Sequence, residues 1–486
     1  MFSRNKIILI LQTIVLLILL LTYFISIDLS LNTNNSIWIL CLVFISFSLL
    51  ILRKEYCNEI KQQYVRVMPV FLFAYCIVYF QLHIDYILGN FDETNTRFWV
   101  NTKIVPKSLA ISAIGFVSFI IGYSYQLSNV TTKAIIHKKH STFPLKIFSL
   151  VFLFGMFITI NPLYVLGGYG LFDMGDFARY FSILFELSIT ALIVQNVINL
   201  STSNKQDYTF IRYVLSFGLL PLLLITLYLL VVIISGDRGP LIYLSMAFIS
   251  SFIVLAKHKL SKLKIISSII VVSFIISGLV SIRSNRTNTS FFNKVYTGIT
   301  EGVKPYKALR GIDSFSNSTL ELATSVRCLH NTVHNVPSND GYFLGRFQLF
   351  QLMTVIPLGQ LVLTDLYNLK RFETTSERYI TYLAGGTDGS EGTACVADLY
   401  LDFGLLGVTI GLLLFGFFIR FIEIRSLSKN TPSLIVLSCY IVFCQYAIYI
   451  PRSSILLNVR NIIWVIIIIK LSQLITNFKF TPYNEK

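Results

Sequence analysis

The stretch IILILQTIVLLILLL, residues 7–21, contains no charged side chain and continues into further apolar residues. A helix needs about 20 predominantly apolar residues to cross the ~30 Å hydrocarbon core of a membrane. Comparable stretches recur as far as IIWVIIIIKLSQLI, residues 462–475, and 54% of the chain is hydrophobic while only 13% is charged. Soluble domains carry roughly 25% charged residues. The sequence therefore predicts an all-α, polytopic membrane protein.

About twelve stretches have the length and composition of transmembrane helices. They lie near residues 7–27, 36–52, 67–82, 108–126, 144–160, 181–199, 213–234, 241–256, 265–282, 397–421, 432–450 and 455–475. An even number of crossings places both termini on one side. We expect an N-terminal transmembrane bundle in 1–282, a long extracytoplasmic loop in 283–396 and the C-terminal transmembrane helices in 397–486.

The net charge of +16 is concentrated in the loops on the side of the two termini. In a soluble protein such a surplus would suggest binding to nucleic acid. In a membrane protein, lysine and arginine are enriched in cytoplasmic loops and contact anionic lipid headgroups. We therefore expect both termini in the cytoplasm, membrane lipids as partners and no nucleic acid.

One apolar stretch does not fit a full span. FQLFQLMTVIPLGQLVL, residues 347–363, is interrupted by Pro357 and Gly359. A crossing here would also reverse the side on which every later loop lies. We expect a re-entrant or interfacial helix that packs on the bundle.

Several arginines lie close to predicted membrane ends on the outer side. They are Arg238 in SGDRGP (235–240), Arg283 and Arg286 in SIRSNRTN (281–288), and Arg452 in YIPRSSI (449–455). The guanidinium group can donate two hydrogen bonds to adjacent phosphate oxygens, and charges at membrane depth often mark substrate sites. These arginines are candidates for binding a lipid-linked diphosphate. The alternatives are a local pair between Arg238 and Asp237, and an Arg452 side chain that reaches the headgroups.

Candidate acid–base groups lie in and just after the long loop. His330 and His334 are four residues apart and would share a helical face; the ordinary pKa of histidine lies near working pH. Asp398 and Asp402 have the same spacing at the start of the next span, and Glu391 precedes them. Such carboxylates either contact sugar hydroxyls and accept a proton or interact with the helix dipole. The two histidines lack the further ligands of a zinc site.

The C-terminal half resembles the Wzy-type O-antigen and capsular oligosaccharide repeat-unit polymerases. The resemblance is carried by SGDRGPLI between two helices, the long external loop, GSEGTACVADLYLDFGLLGVTIGLLLFGFF (389–418) and PRSSILLNVR (451–460). Many members have Glu where this chain has Asp398. Some also have an Arg, ten residues and a Gly in an external loop, and Arg378 to Gly389 fits that pattern.

The resemblance implies a glycosyltransferase that needs no metal or other cofactor and has an all-helical fold akin to the GT-C-like lipid-donor transferases. Its donor and acceptor would be undecaprenyl-diphosphate-linked glycans on the outer face of the bacterial plasma (inner) membrane. A chain-length regulator and a flippase are the protein partners it suggests. The growing chain would pass from its lipid diphosphate to a hydroxyl of a new repeat unit.

Two other functions compete with polymerisation. An O-antigen ligase shares the donor but transfers the glycan to a lipid core. A lipid-linked oligosaccharide flippase would be expected to line a midplane cavity with cations and to show related halves. The predicted helix interiors here are nearly uncharged, which favours an active site at the outer membrane surface.

Overall fold

The structure is a computed structural model, and the residues it describes all lie in helices, turns and connecting segments, with no β-strand among them. The described residues are 4–25, 31–53, 65–95, 97–125, 138–165, 174–202, 209–235, 237–256, 314, 316, 319–386, 391–428 and 432–477.

The helices of the N-terminal half are α1 (Arg4–Ile25), α2 (Thr33–Leu52), α3 (Val67–Ile87), α4 (Val105–Ser124), α5 (Phe143–Thr159), α6 (Pro162–Val165), α7 (Asp176–Thr202), α8 (Phe210–Leu215), α9 (Leu219–Ser235) and α10 (Gly239–Leu255). Those that follow are α11 (Leu320–Ala323), α12 (Val326–Asn335), α13 (Arg346–Met353), α14 (Gly359–Leu366), α15 (Ser376–Leu383), α16 (Cys395–Ser426), α17 (Leu434–Tyr446) and α18 (Leu457–Asn477). Short 3₁₀ helices lie at Arg371–Glu373 and Ile450–Arg452.

The predicted membrane helices are present wherever the structure describes them. Among the described residues, 7 helices are long and apolar enough to cross a membrane: α1, α2, α3, α4, α7, α16 and α18. The shorter apolar helices α5, α9, α10 and α17 match four further predicted spans. The remaining predicted span, 265–282, lies outside the described residues, as does the predicted boundary between residues 282 and 283.

One predicted span is divided into two helices. The apolar stretch 213–234 is divided between α8 and α9, and Gly218 between them has a φ of +82°. This left-handed conformation is accessible to glycine and ends a helix. Hydrophobicity alone does not reveal such a break, because both sides of it are equally apolar.

Helices α4 and α16 form the centre of the bundle, and α4 is almost completely buried. Their backbones approach closely at two glycines. A Cβ added at Gly122 would lie 1.9 Å from the carbonyl oxygen of Leu413, and one added at Gly416 would lie 2.2 Å from that of Phe119. Small residues permit this packing between membrane helices, which accounts for the glycines at these two positions.

Contacts between helix ends distinguish the two ends of the bundle. The lower end is the one where α1 begins: Arg4 contacts the carbonyl of Leu52, and Arg53 contacts that of Tyr123 at the end of α4. The upper end is the opposite one, where α3 ends and α16 begins. There Tyr79 of α3 donates a hydrogen bond to the carbonyl of Pro451. The segment 319–386 packs on this upper end.

The apolar stretch 347–363, for which a re-entrant or interfacial helix was expected, is divided into two short helices. It forms α13 and α14, joined by a turn in which Leu358 has a φ of +63°. Eight-residue helices are about 12 Å long, less than half of the hydrocarbon core. The turn lies against the side of α18, because Trp464 donates a hydrogen bond to the carbonyl of Val355 at 3.1 Å.

Candidate functional site

Arg238 lies in the turn between α9 and α10 at the upper end. Its Nη2 atom contacts Glu321 Oε2 at 2.5 Å, and both side chains are partly exposed. The carboxylate of the neighbouring Asp237 accepts a hydrogen bond from the backbone N–H of Gly239 at 3.0 Å. The turn is therefore held by Asp237, while Glu321 supplies the carboxylate that contacts the guanidinium.

Glu321 is itself fixed to the bundle. It belongs to α11, which packs against α3. Thr319, just before α11, donates a hydrogen bond to Gln81 of α3 at 2.7 Å. Ser314 donates to the carboxylate of Asp85, also of α3, at 2.7 Å. These polar contacts place the partner of Arg238 independently of the turn in which Arg238 lies.

A second arginine that the sequence interpretation did not single out lies at the same end. Arg327 of α12 forms an ion pair with Glu391, with Nη2 and Oε1 3.4 Å apart, and its Nη1 donates to the carbonyl of Arg97. The carbonyl of Glu391 accepts a hydrogen bond from the thiol of Cys328. Glu391, predicted as a sugar contact, is thus placed as the ion-pair partner of Arg327.

Arg452 lies beside this network. Both Arg452 and Arg327 act electrostatically on Cys328, although burial dominates and raises the pKa of that thiol to about 12. The 3₁₀ helix that carries Arg452 is anchored by Tyr79 at Pro451. Arg452 is half-buried, and its guanidinium has no hydrogen-bond or ion-pair partner within the described part of the chain. It can therefore bind an anion.

Three tyrosines lie between the turn of Arg238 and the segment of Arg452. The ring of Tyr243 in α10 is 4.6 Å from that of Tyr446 and 4.7 Å from that of Tyr449. Such a cluster offers aromatic faces and hydroxyl groups at the membrane end of the bundle. It connects the elements that carry the two predicted arginines.

Two ionisable side chains, Glu186 and Arg460, lie near these tyrosines. Glu186 of α7 is 6% exposed and accepts a hydrogen bond from Tyr228 at 2.6 Å. Arg460, near the start of α18, acts electrostatically on Tyr446. Ionisable side chains within membrane segments are rare and often functional. Arg460 stands in the quoted PRSSILLNVR motif and Glu186 in a predicted span, so the sequence contained both signals.

The two histidines lie on α12 with different surroundings. His330 is fully buried against Trp99, their ring centroids 5.8 Å apart, whereas His334 is exposed near the end of the helix. Burial lowers the pKa of His330 to about 3, with His83 and Arg327 acting in the same direction and the backbone of Phe98 opposing them. The sequence argument assumed an ordinary histidine pKa and did not foresee this burial.

Asp398 is 1% exposed at the start of α16. Its Oδ2 atom accepts a hydrogen bond from the side chain of Gln348 at 2.9 Å, and its Oδ1 atom has no hydrogen-bond partner among the described residues. The hydroxyl groups of Ser376 and Ser454 lie close to this carboxyl group. Ser454 is two residues from Arg452, so Asp398 lies near the segment that carries the unpaired arginine.

Asp402 has a structural role. It accepts hydrogen bonds from the backbone N–H groups of Phe347 and Gln348 at 3.2 and 2.9 Å. These are orphan donors of the first turn of α13. The chain of α16 is non-helical at Gly404, whose φ is +61°, and a Cβ there would collide with the ring of Tyr342. The aspartate and the kink together dock segment 342–348 on α16.

The three remaining candidate arginines are Arg378, Arg283 and Arg286. Arg378 is exposed on α15 and donates to the hydroxyl of Thr374 at 3.2 Å. Arg283 and Arg286, one of which was the predicted third member of the phosphate site, lie outside the described residues. Within the described ranges, no group of three or more His, Cys, Asp or Glu side chains is arranged to hold a metal ion.

The chain is similar to one known protein family. A family model described as O-antigen polysaccharide polymerase Wzy matches residues 8–479. Neither a curated protein nor a solved structure matches the chain. The family match covers almost the whole of the helical bundle, including every described residue of the upper-end site.

Proposed function

Because the chain belongs to the O-antigen polysaccharide polymerase family Wzy, we propose that its donor is an undecaprenyl-diphosphate-linked oligosaccharide and that it acts at the upper end of the bundle. The family assignment makes it a multi-pass membrane protein with a glycosyl-transferring polymerase role. The acceptor hydroxyl of one lipid-linked repeat unit forms the new bond to the anomeric carbon. The bond from that carbon to the diphosphate breaks, and the lipid diphosphate leaves.

The observation that carries this proposal is the grouping of arginines at one end of the bundle. Arg238, Arg327 and Arg452 lie on separate elements that meet there, and Arg452 has no partner among the described residues. Negative charge develops on the departing diphosphate, and preorganised donors that meet such charge lower the barrier. We assign the principal phosphate contact to Arg452 and a second one to Arg238. Arg378, being exposed, is proposed for the rim of the site.

The carboxylates have two proposed roles. Glu321 and Glu391 orient Arg238 and Arg327. Asp398 is proposed as the acceptor of the hydroxyl proton, because it is a buried carboxyl group that lies near the segment of Arg452. His334 remains the alternative acceptor. His330, whose pKa burial lowers to about 3, is too weakly basic for this role near neutral pH.

The proposed orientation follows from the distribution of basic residues. The loops on the same side as the two termini lie at the lower end. They are rich in lysine and arginine, and such loops are cytoplasmic in most membrane proteins. The upper end would then face outward in the bacterial inner membrane, with both termini inside. A chain-length regulator and a flippase are proposed as partners, since polymerisation needs exported repeat units and a limit on chain length.

Polymerisation by purified protein tests the proposal. The protein in detergent is mixed with lipid-linked repeat units, and the products are resolved by chain length on a gel. Arg452→Ala should lower the rate by about 100- to 1,000-fold, as removal of an oxyanion donor does. Arg179→Ala, an exposed arginine at the start of α7, is the control. Equal rates for the Arg452→Ala variant and the parent protein would contradict the phosphate role.

The proton acceptor is tested with the same assay. Asp398→Asn should reduce the rate by about 100- to 10,000-fold, the usual contribution of a general base. Asp398→Glu, the residue that the resemblance associates with other members, should retain part of the activity. If Asp398→Asn is fully active and His334→Ala is not, the acceptor is His334.

A deletion strain separates polymerase from the rival functions. Single repeat units on the lipid core indicate loss of a polymerase. A bare core indicates loss of a ligase, and lipid-linked units retained inside the cell indicate loss of a flippase.

A further inference from the structure

A second group of cationic side chains surrounds a cavity of about 210 Å³ at the lower end, opposite the proposed active site. The described residues that line it are Lys138, His140, Gln195, Ile198, Leu434, Lys470 and Gln473. They include two lysines and a histidine but no aspartate or glutamate. The cavity lies between the loop before α5, the end of α7, the start of α17 and the last turns of α18.

A chain of amide hydrogen bonds builds one wall of this cavity. Gln473 donates to Gln195 at 3.0 Å, and Gln195 donates to Asn199 at 3.0 Å. Asn199 in turn binds the backbone of His140 on both sides, accepting from its N–H at 3.2 Å and donating to its carbonyl at 2.8 Å. The loop that carries Lys138 and His140 is therefore fastened to α7 through Asn199, and α7 is in turn joined to α18.

The charges in the cavity are uncompensated within the described part of the chain. Neither Lys138 nor Lys470 forms an ion pair there, and both side chains are exposed. Burial lowers the pKa of His140, and the charges of Lys470 and Lys138 lower it further. Like charges that line one cavity repel one another, and an anion between them would relieve that repulsion.

We propose that this cavity binds a phosphate group. Two lysine ammonium groups, the imidazole and the Gln473 side chain supply donors, and phosphate oxygens accept several such hydrogen bonds. Two sources of phosphate have access to the end of a membrane bundle: an anionic lipid headgroup and a soluble phosphate compound. Basic pockets between membrane helices bind lipid headgroups in other proteins. The apolar side chains of Ile198 and Leu434 favour the lipid, because they offer a surface for its acyl chains.

Thermal unfolding of the full-length protein in detergent tests this site. The midpoint is followed during titration with cardiolipin, with phosphatidylglycerol, with inorganic phosphate and with zwitterionic phosphatidylcholine. The test variant is Lys138→Gln combined with Lys470→Gln. The matched control is Lys139→Gln, which removes an exposed charge from the same loop but does not line the cavity.

The anionic lipids should raise the midpoint of the parent protein and of Lys139→Gln at similar concentrations. The double variant should need roughly tenfold more lipid, a change equivalent to about 1.4 kcal/mol. A response of the same size to inorganic phosphate, also lost in the double variant, would assign the site to a soluble phosphate compound. Identical titrations for the double variant and the parent protein would overturn the proposal, as would an equal response to phosphatidylcholine.

Discussion

Arg238 and Glu321 are joined by a 2.5 Å contact between Nη2 and Oε2, although 83 residues separate them in the chain. Their side chains remain 15% and 27% exposed. The carboxylate fixes the position of the guanidinium without covering it. An arginine held in this way can still present donors to a second anion, because its five N–H groups point in several directions.

Removal of Arg238 should affect catalysis more than removal of its partner. We expect Arg238→Ala to lower the rate of polymerisation by about 100- to 1,000-fold. Arg238→Lys should restore part of it, since a lysine returns the charge but not the planar pair of donors. Glu321→Gln should be milder than Arg238→Ala, because the amide oxygen can still accept a hydrogen bond. Chain length and rate are measured per amount of protein in the membrane.

The result that would contradict this role is a normal rate per molecule in Arg238→Ala together with reduced protein levels. Arg238 and Glu321 would then form an ion pair that only stabilises the fold. Asp237→Asn is a useful control, since the amide oxygen can replace the carboxylate oxygen that accepts from Gly239.

Labelling from outside the cell should distinguish the two ends of the bundle. In a variant without its native cysteines, cysteine placed at Asn339 or Ser284 should react with an impermeant maleimide in intact cells. Cysteine placed at Lys138 should react only after permeabilisation. Asn339 is exposed in the upper-end segment, and Lys138 is exposed at the lower end. Labelling at Lys138 in intact cells would reverse the proposed orientation.

Asp402 should contribute to stability rather than to chemistry. We expect Asp402→Ala to destabilise the protein by about 0.5–2 kcal/mol, the usual effect of removing a helix cap. The backbone N–H groups of Phe347 and Gln348 lose their acceptor in this variant. Cleavage of segment 346–353 by a protease should become faster. Asp365→Ala, an exposed aspartate on α14, should leave cleavage unchanged, and equal cleavage of both variants would argue against the cap.

The membrane helices could be predicted because the thickness of the hydrocarbon core imposes a length and a composition on every span. The boundary at Gly218 and the kink at Gly404 could not, because a local backbone conformation leaves no mark in average hydropathy. Both glycines are visible in the sequence. Only the positive φ angles of +82° and +61° show which glycines break a helix.

The candidate site was predictable in part for a related reason. Arg238 and Arg452 were recognised from their position at membrane ends, which the sequence reveals. The contact between Arg238 and Glu321 depends on how distant segments pack, so it could not be foreseen. The burial of His330 depends on Trp99, which lies in a different loop. The sequence therefore predicted the helical spacing of His330, but not the long-range packing that buries its imidazole.

Gly416 should tolerate no side chain. A Cβ at this position would lie 2.2 Å from the backbone carbonyl of Phe119, which cannot move without shifting α4. We expect Gly416→Ala to lower the midpoint of thermal unfolding, since forced overpacking typically costs about 1–3 kcal/mol. Gly411→Ala is the matched control, because its Cβ would meet only the flexible side chain of Leu399. Equal midpoints for the two variants would show that α4 and α16 are not tightly packed at Gly416.

The buried imidazole of His330 should make the stability of the protein depend on pH. Burial lowers its pKa from 6.5 to about 3 in the folded protein. Above pH 6.5 the histidine is neutral in the folded and unfolded chain alike and adds no pH dependence. Between about pH 6.5 and pH 3 the unfolded chain binds a proton that the folded chain does not, so stability falls as the pH falls.

Replacement of His330 by phenylalanine should therefore flatten the loss of stability between pH 6.5 and pH 4. The ring of phenylalanine fits the apolar contact with Trp99 and carries no buried nitrogen. His334→Asn, at the exposed end of the same helix, should keep the pH profile of the parent protein. The measurement is the free energy of unfolding in detergent at several pH values, compared as differences between variants so that other buried groups cancel. A parental slope in His330→Phe would mean that His330 is not buried as a neutral imidazole.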